Sequence, residues 1–307
     1  MCVFGKSDPR QWADGLTTSK FRFRIQKLFT PPPLRAESGN LSTAELSWTG
    51  IFNNEEVSTV GDIAIAPSDP SILYAGTGES NNRQSSSWGK GVYKSTDAGT
   101  TWQRIGLEET HHIAKIVVHP TDPNTVYAAA TGKLWSASPE RGVYKTTDGG
   151  RSWSQVLKVN DDTGATDIAI DRESPGTLYA AMYQRRRTVF GFNGSGEGSA
   201  LYKTTDGGAT WKKITNGMPY DTENASSPRP ENLLETGRIA VEIYRKDTNI
   251  VYALVEHANG GIFRSNDKGE TWTKMGDTNP RPMYFSKIRI DPNNDLRLWI
   301  AGVTMQY

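Results

Sequence analysis

One short segment occurs four times in the chain and limits the folds that are open to it. Each copy has an Asp, a Gly two residues later, a Trp five residues later, and a Ser or Thr two residues before the Asp. The Asp residues, at positions 97, 148, 206 and 267, are 51, 58 and 61 residues apart. A fixed core at variable spacing indicates one structural unit that is repeated with connecting loops of different length.

Each copy of the segment is embedded in a larger pattern that predicts four short strands. Upstream lie two runs of alternating apolar residues joined by a turn, as in DIAIAPSDPSILYAGTG at 62–78. A third run such as GVYK leads into the repeated segment, and its Trp begins a fourth run. Alternating apolar residues between turn residues are typical of antiparallel hairpins, and no sustained helical period is present. We therefore predict an all-β chain, a β-propeller of four-stranded antiparallel blades.

The repeat boundaries predict where the blades lie. Complete units occupy about 60–106, 112–157, 165–214 and 237–275, and two incomplete units remain. Residues 284–305 read as the first two strands of a blade, and 40–52 read as a degraded fourth strand with Trp48 in the Trp position. We expect 40–52 to complete 284–305, so that residues 40–307 close a five-blade ring. Alternatively, the chain is a fragment of a larger propeller that stays open or associates with a second copy, and residues 1–39 are an N-terminal extension or linker.

The repeated segment has a mechanical explanation. Its Asp can accept backbone N–H bonds within the turn between the third and fourth strands, and its Gly can adopt the positive φ that a tight turn requires. A catalytic or metal-binding residue would not recur once per blade. We therefore assign a structural role to Asp97, Trp102, Asp148, Trp153, Asp206, Trp211, Asp267 and Trp272.

Composition excludes several classes of function. The net charge of +1, from 35 basic and 34 acidic residues, argues against binding to nucleic acid. Cys2 is the only cysteine, which excludes an intramolecular disulfide and a thiolate metal site, and with four histidines we predict no metal. No phosphate-binding or dinucleotide-binding glycine pattern is present, so no cofactor is expected. No apolar run is long enough to span a membrane, and the N-terminus does not have the pattern of a signal peptide.

The four segments resemble the Asp-box (BNR) repeats of sialidases, of xyloglucan-acting glycoside hydrolases and of the sortilin/Vps10 propeller. The strings GTGESNN, RGVYKTTDGG and GSALYKTTDGGATW are most similar to bacterial proteins described as BNR-repeat or sortilin-like glycosyl hydrolases. The resemblance extends from about Trp48 to Trp299. It implies a propeller fold and an extracellular or periplasmic location, and it says little about activity.

In a propeller, the loops that join strands two and three emerge on the same face as the loops between blades. We call this surface the loop face. Its long, irregular loops are the expected place for binding and catalysis. A glycosidase needs two carboxylates about 5 to 9.5 Å apart, and topology favours Glu79, Asp162 and Glu256. The candidate ligand-binding residues on these loops are Arg83, His112, Arg141, Tyr183, Arg185 and Arg186.

These loops also carry aromatic residues such as Trp135 and Phe190, a mixture that suits sugars or peptides. We expect a sortilin-like binding or scaffold module that presents the loop face to a protein, peptide or glycan. The alternative is a glycoside hydrolase that uses paired carboxylates on the same face. Self-association is expected if the ring is incomplete.

Overall fold

The structure is a computed structural model that describes residues 29–30, 49–220 and 235–302. These residues form twenty-two short strands, and the only helical element among them is a 3₁₀ turn at Glu108–Thr110. The all-β prediction is therefore confirmed. Two strands precede the first complete blade and pair with each other: β1 (Phe29–Thr30) and β2 (Thr49–Gly50).

Four antiparallel sheets of four strands follow, each with its strands in chain order. The first two blades consist of β3 (Val60–Ala66), β4 (Asp69–Thr77), β5 (Val92–Ser95) and β6 (Gln103–Arg104), then β7 (Ile113–Val118), β8 (Val126–Ala130), β9 (Gly142–Thr146) and β10 (Ser154–Leu157). The third consists of β11 (Thr163–Ile170), β12 (Leu178–Gln184), β15 (Ala200–Thr204) and β16 (Lys212–Lys213), with a small hairpin, β13 (Arg186–Arg187) and β14 (Phe192–Asn193), inserted before β15.

The fourth blade consists of β17 (Ile239–Ile243), β18 (Val251–Val255), β19 (Gly261–Ser265) and β20 (Thr273–Gly276). A last hairpin, β21 (Lys287–Asp291) and β22 (Asn294–Ala301), forms a two-stranded sheet beside β17. Among the described strands, neither β1 nor β2 pairs with β22. Residues 40–48 lie outside the described part of the chain, so the five-blade closure by 40–52 stays a prediction.

The hydrophobic core is a series of layers between neighbouring blades. Tyr74 and Val92 of the first blade pack with Ile113 and Val126 of the second, and equivalent layers separate the next blades. Small alanines in the second strands, such as Ala75 and Ala128, are fully buried and let adjacent sheets approach closely. The first strands β3, β7, β11, β17 and β21 lie side by side in that order.

The turn of the repeated segment has the same hydrogen bonds in all four copies. In the second blade, Asp148 Oδ1 accepts from the Ser152 backbone N–H at 3.0 Å and from the Thr146 hydroxyl at 2.7 Å, while Oδ2 accepts from the Ser152 hydroxyl at 2.6 Å. Gly150 has φ 95°, a conformation that favours glycine. Since these carboxylates hold their own turns, their geometry explains why they recur in every blade.

The Trp of each repeat packs against the preceding blade. Trp153 Nε1 donates to the Ile105 carbonyl at 2.9 Å, and Trp102 Nε1 donates to the Ile51 carbonyl at 2.7 Å. Ile51 follows β2 as Ile105 follows β6, three residues after the Trp position in each case. Therefore β1 and β2 occupy the place of a third and fourth strand in front of the first complete blade.

Candidate functional site

The loop face is built from the connections between second and third strands, which interlock with their neighbours. Gly89 N–H in the first blade donates to the His111 carbonyl at 2.7 Å, and Arg187 N–H in the third blade donates to the Leu134 carbonyl in the second at 2.9 Å. Asn82 Nδ2 donates to the Met283 carbonyl at 2.8 Å, which joins the first blade to the segment after the fourth. The loops therefore form one continuous surface.

Exposed aromatic side chains project from three successive loops on this face. Trp88, Trp135 and Phe190 belong to the second-to-third-strand loops of the first, second and third blades and are 69%, 48% and 99% exposed. The ring of Trp88 is held edge-on against His111, with the centroids 5.7 Å apart. Exposed aromatic rings are costly in water, and several on one face indicate a surface for a ligand with apolar patches.

A pocket of about 390 Å³ lies beside the β13–β14 hairpin. The Arg186 guanidinium crosses it to the Asp162 carboxylate, with Nη2 and Nε at 2.6 and 2.7 Å from the same oxygen. The remaining lining residues are a mixture of polar and apolar groups: Gln184, Arg185, Thr188, Phe190, Gly191, Phe192 and Asn193. The Arg186–Asp162 ion pair compensates its own charge, and the other lining residues offer polar and apolar groups to a ligand.

The three predicted carboxylates differ in their surroundings. Asp162 is engaged by Arg186, which leaves its charge compensated. Glu79 is half-buried, and its backbone N–H donates to the Ser87 carbonyl at 2.8 Å. Burial raises the pKa of Glu256, although its Oε2 accepts from the Arg238 backbone N–H at 2.8 Å. Burial thus favours the protonated form of Glu256, and the pairing of two carboxylates for catalysis stays a prediction.

Most of the predicted ligand-binding residues lie beneath the surface. His112, Arg141, Tyr183 and Arg185 are all buried, whereas Arg83 and Arg186 are half-buried. Tyr183 Oη accepts from Asn82 Nδ2 at 3.0 Å, and burial raises the pKa of this tyrosine. Burial, reinforced by the charge of Arg185, lowers the pKa of His112 well below its usual range. These four side chains are placed to support the loops from within, and their contact with a ligand stays a prediction.

Sequence reasoning did not single out Trp88, and it gave Trp135 and Phe190 no specific role. The available signal was the recurrence of an aromatic residue in the second-to-third-strand loops of the first three blades. The described residues contain no group of three or more His, Cys, Asp or Glu side chains that could hold a metal ion. Nor does that part of the chain contain a helix long and apolar enough to cross a membrane.

Comparison with known proteins supports the fold and suggests a chemistry. Residues 90–228 match the family model described as sortilin, neurotensin receptor 3. A xyloglucanase of a Paenibacillus species is 24% identical over a match that covers 79% of this chain and 28% of the relative. A probable oligoxyloglucan-reducing end-specific xyloglucanase of Neosartorya fischeri is also 24% identical, with 76% of this chain covering 29% of it. The chain thus spans less than a third of these relatives.

Solved structures with the same fold include GH74 enzymes. The GH74 xyloglucanase from Xanthomonas campestris has a TM-score of 0.53 at 18% identity, with 78% of this chain covering 34% of that one. The GH74 enzyme of Niastella koreensis has the same TM-score and coverage at 22% identity. These similarities confirm an Asp-box propeller that resembles the sortilin-like and glycoside hydrolase proteins. They favour the glycoside hydrolase alternative over a binding module for protein or peptide.

Proposed function

We propose that the chain is a glycan-recognising propeller of the glycoside hydrolase kind, which binds a neutral polysaccharide across its loop face. The row formed by Trp88, Trp135 and Phe190 carries this proposal. Sugar rings present apolar C–H faces that stack on aromatic rings, and their hydroxyls pair with polar groups such as those of the pocket beside β13 and β14. The similarity to xyloglucanases makes a β-glucan backbone the first class to test.

Isothermal titration with xyloglucan and with cello-oligosaccharides tests the binding. Trp135→Ala and Trp88→Ala should each weaken binding about 2- to 13-fold, because one aromatic contact contributes about 0.5–1.5 kcal/mol. Leu296→Ala is the control, since this side chain is equally exposed but lies on β22, near the turn on the opposite face. Equal affinities for all variants, or no binding of any neutral glycan, would contradict the proposal.

Hydrolysis is the second candidate, favoured by the raised pKa of Glu256. A protonated carboxyl can give its proton to the leaving glycosidic oxygen, which typically contributes 10²- to 10⁴-fold to the rate. Asp162 is less suited to that role because its charge is compensated by Arg186. A substrate outside the cytoplasm would agree with the extracellular or periplasmic location that the resemblance implies.

The test of hydrolysis is product release from xyloglucan by Glu256→Gln. Gln keeps the acceptor for the Arg238 N–H but has no acidic proton. The rate should fall at least about 100-fold while glycan affinity is unchanged. Glu140→Gln serves as control, because Glu140 also lies on a loop of this face and accepts from the Ser138 hydroxyl at 2.8 Å. If the unaltered protein binds glycan and releases no product, binding stands and hydrolysis is refuted.

A further inference from the structure

Arg185, immediately after β12, has a guanidinium group that is completely buried where the loops of three blades meet. Its Nη1 donates to the Ser80 carbonyl at 2.9 Å and to Asn82 Oδ1 at 2.8 Å, both in the first blade. Its Nη2 donates to Thr131 Oγ1 at 2.8 Å and to the Gly132 carbonyl at 3.3 Å, both in the second blade. All four acceptors are uncharged.

A second buried guanidinium, that of Arg141, lies close to the first. Its Nη1 donates to the carbonyls of Asp162 and Arg185, both at 2.8 Å, and its Nη2 also donates only to carbonyls. The Asp162 carboxylate is held by Arg186 instead. Neither Arg141 nor Arg185 forms an ion pair with a carboxylate among the described residues, although the charge of Asp162 acts on Arg141. A buried charge without a directly bound counter-charge is strongly unfavourable.

Several buried donors around these two arginines have no hydrogen-bond partner in the described part of the chain. They are Arg185 Nε, Arg141 Nε, the Ser80 hydroxyl and His112 Nδ1. The Ser80 backbone carbonyl accepts from Arg185, and the His112 backbone carbonyl accepts from the Thr131 hydroxyl, which Arg185 also contacts. Burial and the neighbouring arginines lower the pKa of His112, which favours the neutral imidazole, and a neutral ring can carry its one N–H on Nδ1. An anion is the kind of ligand that could satisfy both the buried arginines and these unpaired donors.

We propose that this cluster, Ser80, His112, Arg141 and Arg185, binds a small monovalent inorganic anion such as chloride. The site is too enclosed for a large ligand, because each of its side chains is almost fully buried. The anion would neutralise part of the positive charge and join the loops of the first three blades. This role is independent of glycan binding, since it concerns how the loop face is held together.

Thermal unfolding of the intact chain tests the proposal. Sodium chloride is compared with sodium gluconate at equal ionic strength, because gluconate is too large for the site. Chloride at about 0.5 M should raise the unfolding midpoint by about 2–4 °C more than gluconate does, and the effect should saturate. Bromide and nitrate should act like chloride. Equal midpoints in chloride and gluconate would overturn the proposal.

A variant that keeps the fold makes the test specific. Ser80→Ala removes one donor and should weaken the apparent affinity for chloride about 10-fold, as expected for a hydrogen bond to a charged group. Thr236→Ala is the control, because Thr236 is a buried residue at the start of the fourth blade whose hydroxyl has no partner among the described residues. A bromide-soaked crystal should show anomalous density within hydrogen-bond distance of Arg185 Nε. Retention of the chloride effect in Ser80→Ala, or no such density, would contradict the assignment.

Discussion

At the scale of single residues, one tyrosine in each of the first three blades links that blade to the next. Tyr74 Oη donates to the Pro123 carbonyl at 2.7 Å, Tyr127 Oη to the Gly207 carbonyl at 2.9 Å, and Tyr179 Oη to the Lys268 carbonyl at 2.7 Å. Each of these tyrosines lies on a second strand and each acceptor lies in the following blade. The blades are thus joined by a repeated polar contact at the edge of an apolar layer.

Tyr127→Phe should lower the free energy of unfolding by about 0.5–1.5 kcal/mol, because it removes one such bond and leaves the ring in place. Lys145 Nζ, at 2.7 Å, still satisfies the Gly207 carbonyl. Urea unfolding measures the difference. Tyr202→Phe is the control, since the hydroxyl of Tyr202 makes no hydrogen bond to a described residue. A loss in the control equal to that in Tyr127→Phe would contradict the role of the bond.

At the scale of elements, the turn between third and fourth strands is stabilised by an ionised carboxylate. Hydrogen bonds from the Thr101 hydroxyl and backbone and from the Ser95 hydroxyl lower the pKa of Asp97 to about 2. The pKa values of Asp148, Asp206 and Asp267 are lowered for the same reason, although partial burial opposes the shift at Asp267. Four copies of one turn therefore share one sensitivity to acid.

The sign of this effect follows from proton linkage. A carboxylate with a lower pKa in the folded state contributes its full stabilisation above the unfolded value of about 4 and loses it as the pH falls toward 2. The free energy of unfolding should therefore fall steeply between pH 4 and pH 2. Denaturant unfolding across this range should show that the free energy of unfolding depends less steeply on pH in Asp148→Asn. The dependence should be unchanged in Asp161→Asn, because Asp161 is not part of a repeated segment.

The sequence could predict the elements well and the site poorly. The turn bonds depend on residues within five positions of one another, so the pattern around Asp148 or Asp206 contains them. The burial of Arg185 depends on Ser80 and Thr131, which are 105 and 54 residues away. Arg185 is therefore buried, although the sequence places it among candidate ligand-binding residues and its neighbours Arg186 and Arg187 are partly exposed.

At the scale of the whole molecule, ion pairs between first strands surround the axis of the propeller. Lys115 on β7 pairs with Asp62 on β3, and Arg289 on β21 pairs with Glu242 on β17, each at 3.5 Å. Lys287 on β21 reaches Asp167 on β11 at 3.3 Å, past the intervening β17. Burial lowers the pKa of Lys287 to about 8, against the effect of Asp167. The last hairpin is therefore tied to the third blade as well as to its neighbour.

Lys287→Met should destabilise the fold by about 3–5 kcal/mol, because it leaves the buried Asp167 carboxylate without its partner. The double variant Lys287→Met with Asp167→Leu should recover most of that loss, since it removes both charges. Urea unfolding of the two variants measures the coupling. If the double variant is less stable than the single one, the pair is not the origin of the effect.

We propose that the half-blade β1–β2 completes β21–β22 within the same chain. In the complete blades, the lysine or arginine of the third strand lies opposite the tyrosine of the second, as Lys94 lies opposite Tyr74. In β22, Trp299 is at the position equivalent to that tyrosine. Thr30 is at the position equivalent to the lysine, because Thr30 pairs with Thr49 in the same way as Lys94 pairs with Gln103.

Thr30→Cys with Trp299→Cys, in a Cys2→Ser background, should therefore form a disulfide within one chain under mild oxidation. Electrophoresis without reductant distinguishes this product from a cross-linked dimer. A dimer would indicate that a second copy supplies the missing strands instead. No cross-link of either kind would refute the register.

The position of Met275 illustrates how each blade contacts the blade that follows it. It occupies the position that Ile51, Ile105, Val156 and Ile214 hold in the other blades, three residues after the Trp position, yet it is 52% exposed. The glycine and Trp of the following turn cover Ile51 and Ile105. Since every blade offers the same contact to its successor, duplication of one 51- to 61-residue unit would lengthen the array without redesigning an interface. Growth of such chains by whole blades is thus an evolutionary route that this packing leaves open.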